Sequence, residues 1–503
     1  MKLLLVYPRY PDTFWSFKHA LKFIHKKAAF PPLGLLTVAA MLPGEWDKQL
    51  VDMNVTLLND KAIKWADYVL ISAMTVQYES AKEVIARCKT LGTKTVAGGP
   101  LFTTNHEEFD EVDHLVLGEA EVILPPFLKD LEQGCARHIY TSKARPDINK
   151  APVPLWSLIN KKDYSAMSVQ YSRGCPFNCE FCDIIILNGH KPRTKNKERL
   201  LAELNSIYQL GWSSSVFIVD DNFIGNKKKL KAETLPTIIE WRKGKKQPFP
   251  LFTEASINLA DDEELMQLMV EAGFDRVFIG IETPNEESLV ECNKSQNQNR
   301  DLVGSVRKIQ RHGLEVQGGF IVGFDSDPVS IFKNQIDFIQ KSGIVTAMVG
   351  LLNAPPGTRL HNRLKKERRL LSRFTGNNTD CSINFIPKMK QETLIEGYKH
   401  ILKTIYSPKC YYTRVKTFLK EYKPHNNGGG KLQFYHINAL VNSIWFLGIR
   451  EKGRRYYWRL LISTLLKHPR RLNISVTLAI YGYHFRKVVE SYLKSPVNNV
   501  HKL

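Results

Sequence analysis

The chain has 503 residues, of which 43% are hydrophobic and 24% charged, which is typical of a globular protein and predicts two or three domains. Its eight cysteines are too few for a disulfide scaffold, and their pattern suits a reducing cytosol with one metal site. The net charge of +21 suggests an anionic partner, either nucleic acid or a lipid surface, with a solvated basic face as the alternative. The first residues, "MKLLLVYPRYPDTF", indicate a β-strand, and we expect no secretory signal.

In residues 1–140, short apolar strands alternate with helices, starting with "KLLLVYP" and the helical "PPLGLLTVAAMLP". This rhythm predicts a Rossmann-like, doubly wound parallel sheet with a ligand crevice beyond the carboxyl ends of its strands. Gly98 and Gly99 follow one predicted strand and would allow the backbone to approach a bulky ligand, although a plain turn is the alternative. Residues 141–160 are rich in proline and are predicted to be a linker.

Residues 161–374 repeat the β/α rhythm with about six strand-like segments, from "AMSVQYS" to "IVTAMVGLLN". Six units predict a partial β/α barrel of the TIM type, in which the chemistry lies on loops at the carboxyl ends of the strands. From residue 375 to 503 strands and helices no longer alternate, and we expect a helical, basic C-terminal region. Within it, "NNGGG" at 426–430 predicts a flexible joint.

Three cysteines follow the first strand of the predicted barrel in the stretch "YSRGCPFNCEFCD". Cys175, Cys179 and Cys182 have the spacing C-x3-C-x2-C, so their thiolates can reach one metal centre. A structural zinc site needs four ligands, and the nearest histidine, His190, is not convincingly placed to supply the fourth. An iron–sulfur cluster with one open iron fits these three thiolates better than zinc does.

The cysteine motif and its position after the first barrel strand resemble those of the radical S-adenosylmethionine enzymes. In that family a 4Fe-4S cluster binds S-adenosylmethionine, and one electron cleaves it to give a radical that takes hydrogen from an unactivated carbon. A Rossmann-like domain ahead of the barrel resembles the cobalamin-binding members. With the helical C-terminal extension, the resemblance is to the subgroup that contains the hopanoid C-2 methylase. It therefore implies a 4Fe-4S cluster, S-adenosylmethionine and cobalamin.

Later segments resemble the family's cofactor-binding motifs in order along the chain. "VDDNF" stands where the family has a Gly-Gly-Glu type strand end and departs from that pattern, while "GIETP", "GGFIVGF" and "LLNAPPGTRL" are similar to the later strand-end motifs. The resemblance implies that these motifs supply the S-adenosylmethionine contacts, which we expect at Asp220, Asp221, Asn222, Glu282, Gly323 and Pro356.

The predicted cobalamin domain lacks the D-x-H-x-x-G loop that gives many corrinoid proteins a histidine ligand to cobalt. The cobalamin-dependent radical group shares this absence, so we expect cobalamin without an axial histidine and with its nucleotide tail near Gly98 and Gly99. Thr75 and Gln77 are the candidates for the lower side of the corrin. The histidines of this region are expected to be surface or capping residues; they are His19, His25, His106, His114 and His138.

The leading hypothesis is a methyltransferase that acts on an unactivated carbon of an apolar, lipid or terpenoid-like substrate. Two alternatives remain. The first is a radical enzyme that closes a ring or rearranges its substrate without methyl transfer. The second is an RNA-modifying or sensory iron–sulfur protein, which the charge favours but for which no aromatic–basic sheet or recognition helix is evident, so we expect no nucleic acid. An electron donor such as flavodoxin or ferredoxin is expected.

The C-terminus holds thirteen Lys and Arg against two Glu in residues 431–503. "LQFYHINALVNSIWFLGI" at 432–449 reaches the length of a membrane span but contains several polar residues. The following "REKGRRYYWRLLISTLLKHPRR" places arginines beside aromatic residues and leucines, which is typical of a helix in the lipid headgroup region. We expect a cytoplasmic protein with peripheral contact to the inner face of the membrane; a basic helical cap on the barrel is the alternative.

Overall fold

A computed structural model describes residues 1–377, 379–424 and 434–494. The chain forms two compact units that interleave along the sequence. The first unit comprises Met1–Asp12, Lys27–Ser172 and Arg193–Trp212, and the second comprises Thr13–Lys26, Arg173–Pro192 and Ser213–Leu503. The predicted domain boundaries stay predictions. The joint predicted at 426–430 lies outside the described residues.

Strands and helices alternate through most of the chain. The strands are β1 (Lys2–Tyr7), β2 (Asp47–Asp52), β3 (Tyr68–Ser72), β4 (Lys94–Gly98), β5 (His114–Leu117), β6 (Ile139–Thr141), β7 (Met167–Val169), β8 (Ser172–Arg173), β9 (Arg193–Thr194), β10 (Val216–Ile218), β11 (Leu251–Ala255), β12 (Phe274–Glu282), β13 (Glu315–Val322) and β14 (Ala347–Leu351). The helices of residues 1–300 are α1 (Lys18–Leu21), α2 (Leu33–Met41), α3 (Asp60–Trp65), α4 (Tyr78–Thr90), α5 (Pro100–Asn105), α6 (Ala120–Glu132), α7 (Ile184–Leu187), α8 (Lys197–Gln209), α9 (Lys227–Lys229), α10 (Leu235–Lys243), α11 (Glu263–Glu271) and α12 (Glu286–Glu291). Those that follow are α13 (Leu302–Arg311), α14 (Ile331–Ser342), α15 (Arg359–Lys366), α16 (Gln391–Ile405), α17 (Pro408–Glu421), α18 (Phe434–Ser443), α19 (Arg454–Lys467) and α20 (Leu472–Lys494).

The first unit contains a parallel sheet with the strand order β2-β1-β3-β4-β5-β6. Its central strands are buried on both faces, because helices cover each side. Ile63 of α3 and Val84 of α4 pack in the core on one face, and Leu35 of α2 and Phe127 of α6 pack in the core on the other. The strand order reverses between β1 and β3, and in doubly wound sheets a ligand crevice lies at such a switch point.

The second unit contains β10 to β14, each parallel to the next in chain order. Apolar side chains of the intervening helices are fully buried, among them Met266 and Met269 of α11 and Ile309 of α13. Parallel strands need such crossover helices, and the sheet is therefore packed on one face by helices. The predicted fold class, two α/β parts followed by a helical C-terminal region, is confirmed.

The C-terminal helices of the second unit pack on its α/β part through buried polar as well as apolar contacts. Arg414 of α17 is completely buried, and its guanidinium donates to Gln340 Oε1 at 2.6 Å and to the carbonyl oxygens of Ile405 and Val345 at 2.9 and 3.2 Å. Residues 13–26 join this region, since Phe14 stacks on Phe485 of α20 with ring centroids 4.1 Å apart. None of the helices in the described ranges combines the length and apolar character needed to cross a membrane.

Candidate functional site

The cysteine loop of the second unit starts from a backbone conformation that requires glycine. Gly174 has φ +99°, and a Cβ there would lie 2.8 Å from the carbonyl oxygen of Gly189 and 3.0 Å from that of Lys191. The Gly174 N–H donates to Asp221 Oδ2 at 2.8 Å, and Asn188 Nδ2 donates to the same oxygen at 3.0 Å. Asp221, predicted to bind a cofactor, therefore has a second role, because it fixes the start of the cysteine loop.

The three predicted metal ligands lie on one loop and are largely removed from solvent. Cys179 is buried, and Cys175 and Cys182 are half-buried. Burial raises the pKa of the Cys175 and Cys182 thiols, the neighbouring Cys179 raises it further, and the cation of Lys294 acts in the opposite direction. Thiols in such an apolar environment stay protonated unless a metal coordinates them, so this loop suits a metal centre rather than a free thiolate.

Three cysteine thiols are a donor set that suits an iron–sulfur cluster, whose irons are held by thiolates. Among the described residues, no three His, Cys, Asp or Glu side chains are grouped around a single metal-ion position. The thiolates of a 4Fe-4S cluster bind separate irons and do not need to meet at one point. The backbone N–H groups of Phe177 and Ile184 donate to the sulfurs of Cys175 and Cys182, and hydrogen bonds of this kind stabilise coordinated thiolates.

A network of ion pairs holds the cysteine loop in place through Glu180. Arg363 of α15 makes a bidentate pair with Glu180 of the loop, at 2.8 and 3.1 Å, and also contacts Asp325 at 3.1 Å. Arg369 makes a second bidentate pair with Asp325, at 2.6 and 2.7 Å. Although burial alone would raise the pKa of Asp325, these two arginines hold it below its usual value. Bidentate pairs fix orientation, so the network positions the loop rather than providing a ligand.

Asp220 and Asn222 lie on either side of Asp221 at the end of β10, and both are buried. Asn222 Nδ2 donates to Ser256 Oγ at 3.2 Å and lies 3.9 Å from Cys175 Sγ. The predicted strand-end motif is thus adjacent to the first cysteine. That these residues contact S-adenosylmethionine stays a prediction.

Glu282 adopts a strained backbone conformation at the end of β12. Its φ is +64°, which is unusual for a residue with a side chain, and its carboxylate pairs with the buried Lys294 at 2.6 Å. Burial alone would lower the pKa of Lys294, but Glu282 and Cys179 raise it, so the lysine remains charged. Sequence reasoning identified Glu282 but missed Lys294; the only available signal was a lysine twelve residues further on, in "NKSQN".

Gly323 and Pro356 occupy turns that follow β13 and β14. Gly323 has φ +107°, and its N–H donates to Asp327 Oδ2 at 2.8 Å. Pro356 is half-buried, in a turn that Asn384 holds by accepting the N–H of Ala354 at 2.8 Å. The structure therefore brings Asp220, Asn222, Glu282, Gly323 and Pro356 to the carboxyl ends of four parallel strands, β10, β12, β13 and β14, where the barrel prediction expected them.

The predicted cobalamin residues lie in the first unit, at the carboxyl ends of β3 and β4. Gly99 has φ +91°, and a Cβ there would lie 2.8 Å from Ser72 Oγ, so the glycine is required by the close approach of these two loops. Gly98 is equally tight, since its Cβ would lie 2.9 Å from the carbonyl oxygen of Val116. Thr75 is half-buried. Gln77 is buried, and its amide already accepts from Met74 N–H and donates to the carbonyl oxygen of Pro8.

The expectation for the histidines needs one correction. His114 is not a surface or capping residue but a buried residue of β5, with Nδ1 at 2.7 Å from the carbonyl oxygen of Arg137. His106 Nδ1 is buried without a hydrogen-bond partner among the described residues. The prediction that no histidine binds cobalt, and the corrin contacts of Thr75, Gln77, Gly98 and Gly99, stay predictions.

Known proteins resemble the chain over nearly its whole length. Residues 24–128 match the B12 binding domain, residues 169–339 the Radical SAM superfamily, and residues 358–496 a domain of unknown function, DUF4070. An uncharacterized methyltransferase of Synechocystis is 42% identical over 96% of this chain and 91% of the relative. The hopanoid C-2 methylase of Rhodopseudomonas palustris is 32% identical over 93% of this chain and 90% of the relative. The chain belongs to the cobalamin-dependent radical S-adenosylmethionine methyltransferases.

Two solved structures share the fold of this chain. The cobalamin-dependent radical enzyme OxsB aligns with 97% of this chain and 80% of its own chain, with a TM-score of 0.61 and 14% sequence identity. The radical S-adenosylmethionine methyltransferase TsrM of Kitasatospora setae aligns with 98% of this chain and 100% of its own chain, with a TM-score of 0.62 and 14% sequence identity. The cofactors of this enzyme are a 4Fe-4S cluster, S-adenosylmethionine and cobalamin. When bound, they supply the electron, the radical precursor and the methyl carrier, and the residues predicted above would hold and orient them.

We predict that Cys175, Cys179 and Cys182 are each required for the cluster, because losing one thiolate leaves an iron without its ligand. Each Cys→Ala variant should lose most of its iron and sulfide, measured after anaerobic reconstitution. Cys292 is a matched control. It is as buried as Cys179, at 1% and 7% exposure, and its carbonyl oxygen accepts the N–H of Glu180 in the same loop. Cys292→Ala should keep the cluster, and a full cluster in Cys179→Ala would contradict the assignment.

We predict that the Lys294–Glu282 pair sets the reduction potential of the cluster, because a charge beside the thiolates alters the energy of adding an electron. Lys294→Met should make the potential more negative and Glu282→Gln less negative, on the order of 60 mV if one charge contributes a factor of ten to the reduction equilibrium. Potentiometric titration followed by electron paramagnetic resonance measures both shifts. Lys308→Met, on an exposed pair with Glu263, is the control. Equal reduction potentials in the wild type and in all three variants would show that the Lys294–Glu282 pair is only structural.

Proposed function

We propose that this enzyme transfers a methyl group to an unactivated carbon of an apolar, terpenoid-like lipid, at the cytoplasmic face of a membrane. An electron donor of the flavodoxin or ferredoxin type is part of this proposal. The relatives support methyl transfer, and the similarity to a hopanoid C-2 methylase over 90% of that protein supports a terpenoid-like substrate. The single observation that carries the proposal is an apolar surface on the C-terminal helices of the second unit.

Two C-terminal helical segments present apolar side chains to solvent. On α18 and the π-helical segment that follows it, four apolar residues at intervals of four are about half exposed. They are Ile437, Val441, Trp445 and Ile449. On α19 the exposed apolar residues are Trp458, Ile462, Leu465 and Leu466, and Leu466 reaches 79% exposure. We call these eight residues the amphipathic surface.

The amphipathic surface is not needed to pack its own helices. The opposite side of α19 is buried through Tyr457, Leu460 and Leu461, and the Tyr457 and Ser443 hydroxyls lie 2.8 Å apart and join the two segments. Folding therefore leaves eight large apolar side chains exposed on these two segments, and exposed apolar surface of this extent often marks an interaction site.

Exposed basic residues lie close to the amphipathic surface along the chain. They are Arg450, Lys452, Arg454, Arg455, Arg459 and Lys467. A helical face with Trp, Ile and Leu beside arginines fits the boundary between lipid headgroups and acyl chains, and anionic lipid adds about 1 kcal/mol per nearby Lys or Arg. A protein attached there can take up a substrate that is dissolved in the membrane.

Lipid mass spectrometry tests the proposed reaction. A host that carries the gene should contain a lipid heavier by one methylene group than its counterpart in a host without the gene. A host with the Cys179→Ala variant should lack that product. A new lipid of unchanged carbon number would instead support the ring-forming or rearranging alternative.

We predict that full-length enzyme binds vesicles through the amphipathic surface. Flotation with phosphatidylcholine vesicles containing phosphatidylglycerol should recover the protein at low salt, and binding should weaken as salt increases, because the arginine contribution is screened. Ile462→Asp with Leu466→Asp should abolish flotation. Leu57→Asp, an equally apolar exposed position in the first unit, is the matched control. Absence of binding to anionic vesicles at low salt would overturn the membrane proposal, and tighter binding to RNA than to vesicles would favour a nucleic-acid partner.

A further inference from the structure

A basic helix lies beside the cysteine loop in the second unit. Residues 359–373, which cover α15 and the turn after it, contain seven Lys and Arg against one Glu. Leu360 and Leu364 are buried, so this side of α15 packs on the protein. Arg359 and Lys366, seven positions apart, are exposed and lie on one face of the helix. A cationic segment of this density favours a partner that carries negative charge.

Two contacts tie α15 to the cysteine loop. The Leu360 N–H donates to the carbonyl oxygen of Glu180 at 3.0 Å, and Arg363 makes its bidentate pair with the Glu180 carboxylate. Glu180 stands between Cys179 and Cys182 in the chain. A helix with its side chains is about 10–12 Å across, so a molecule on the outer face of α15 lies roughly one helix diameter from the cysteine loop. Electron transfer needs such a short path, because its rate falls steeply with distance.

The basic residues of this segment have two different roles. Arg363 and Arg369 are bound to the carboxylates of the network described above. Four others are exposed and form no ion pair with any residue in the ranges that the structure describes; they are Arg359, Lys365, Lys366 and Arg368. An open depression of about 380 Å³ lies along α15 and is lined by Arg359, Asn362, Arg363, Lys366 and Glu367. Like charges close together on a helix repel one another, so folding alone does not favour this arrangement.

Two exposed apolar residues lie next to the basic helix. A Cβ on Gly357, in the turn that enters α15, would lie 3.4 Å from Cδ1 of the exposed Ile186, which follows the third cysteine by four residues. Ile386 is also exposed, and its N–H and its carbonyl oxygen both bond to Arg369, at 2.7 Å each. We call these two isoleucines and the four exposed cations the α15 surface.

We propose that the α15 surface binds an acidic electron-carrier protein, which delivers the electron to the cluster. This inference rests on the electron donor of the proposed function and names where on this chain that donor binds. One electron leaves the reduced carrier, which is thereby oxidised by one electron, and the cluster gains that electron. No bond is formed or broken in the step.

Charge and the size of the contact both favour such a partner. Flavodoxins and ferredoxins are small acidic proteins, and opposite charges steer association and raise its rate by about 10- to 1,000-fold. Complexes that pass on an electron must also separate quickly, and their interfaces are small. A few apolar side chains within a charged surface suit a contact of this kind. The α15 surface has that composition, whereas the amphipathic surface has more apolar side chains and suits lipid.

The test measures electron delivery to the reconstituted full-length enzyme under anaerobic conditions. Reduced flavodoxin in excess is mixed rapidly with the enzyme, and the loss of cluster absorbance gives a rate constant that does not depend on how much cluster each variant assembles. At low salt, Arg359→Glu with Lys366→Glu should lower this constant about tenfold, because two charges that line the depression are reversed. Lys365→Glu with Arg368→Glu should act in the same direction. Increasing salt should slow the wild type and change the variants little.

Two lysines of α17 provide the matched control. Lys416 and Lys420 are both exposed, and reversing them changes the net charge by the same amount. Phe418, between them, has its backbone nitrogen 3.2 Å from a Cβ placed on Gly343, which precedes the amino end of β14. These lysines are therefore at the opposite ends of the strands from the cysteine loop. Lys416→Glu with Lys420→Glu should keep the wild-type rate. Dithionite needs no docking surface and should reduce all of these proteins to the same extent, measured by electron paramagnetic resonance.

The outcomes separate this inference from the proposed function. If neither flavodoxin nor ferredoxin reduces wild-type enzyme that dithionite does reduce, the proposed donor fails and the α15 surface falls with it. If the carriers reduce the wild type and the α15 variants at equal rates, the donor stands and the α15 surface is overturned. An equal loss of rate in the α17 control would show a general effect of net charge and would also overturn it. Weaker flotation of Arg359→Glu with Lys366→Glu on phosphatidylglycerol vesicles, at an unchanged reduction rate, would assign the surface to lipid instead.

Discussion

The start of the cysteine loop is the constraint on which the functional site depends. Gly174 can adopt its positive φ only without a side chain, since three carbonyl oxygens lie where a Cβ would stand. Asp221 then binds the Gly174 N–H and the Asn188 amide through one carboxylate oxygen. A loop fixed in this way holds the Cys175 and Cys182 thiols where burial disfavours their charged form, and coordination to a metal offsets that cost.

Charges around the loop divide into two groups with different tasks. Arg363, Arg369, Glu180 and Asp325 form a bidentate network at the back, where their charges largely cancel and their geometry matters. Lys294 acts on the thiols themselves, and Glu282 keeps it charged in spite of burial. The backbone strain at Glu282 is consistent with this task, because strained residues persist where the surrounding structure needs their position.

The C-terminal region serves the second unit in two ways. Arg414 and Phe485 tie its helices to the α/β part and to residues 13–26, which also place Trp15 against Phe278 of β12. The outer side of α18 and α19 is left with exposed apolar and basic residues, and the proposed membrane contact depends on them.

The sequence by itself determined the order of strands and helices, the parallel α/β class and the three cysteines, because hydrophobic periodicity and ligand spacing are local properties. Strand-end motifs placed Asn222, Glu282, Gly323 and Pro356 correctly at the carboxyl ends of strands for the same reason. Only the tertiary structure decided that His114 is buried, that Asp221 fixes the loop and that Lys294 lies beside the thiols. Each of those facts depends on which strands become neighbours and on how deeply a side chain is removed from water, and neither is a property of a residue and its neighbours along the chain.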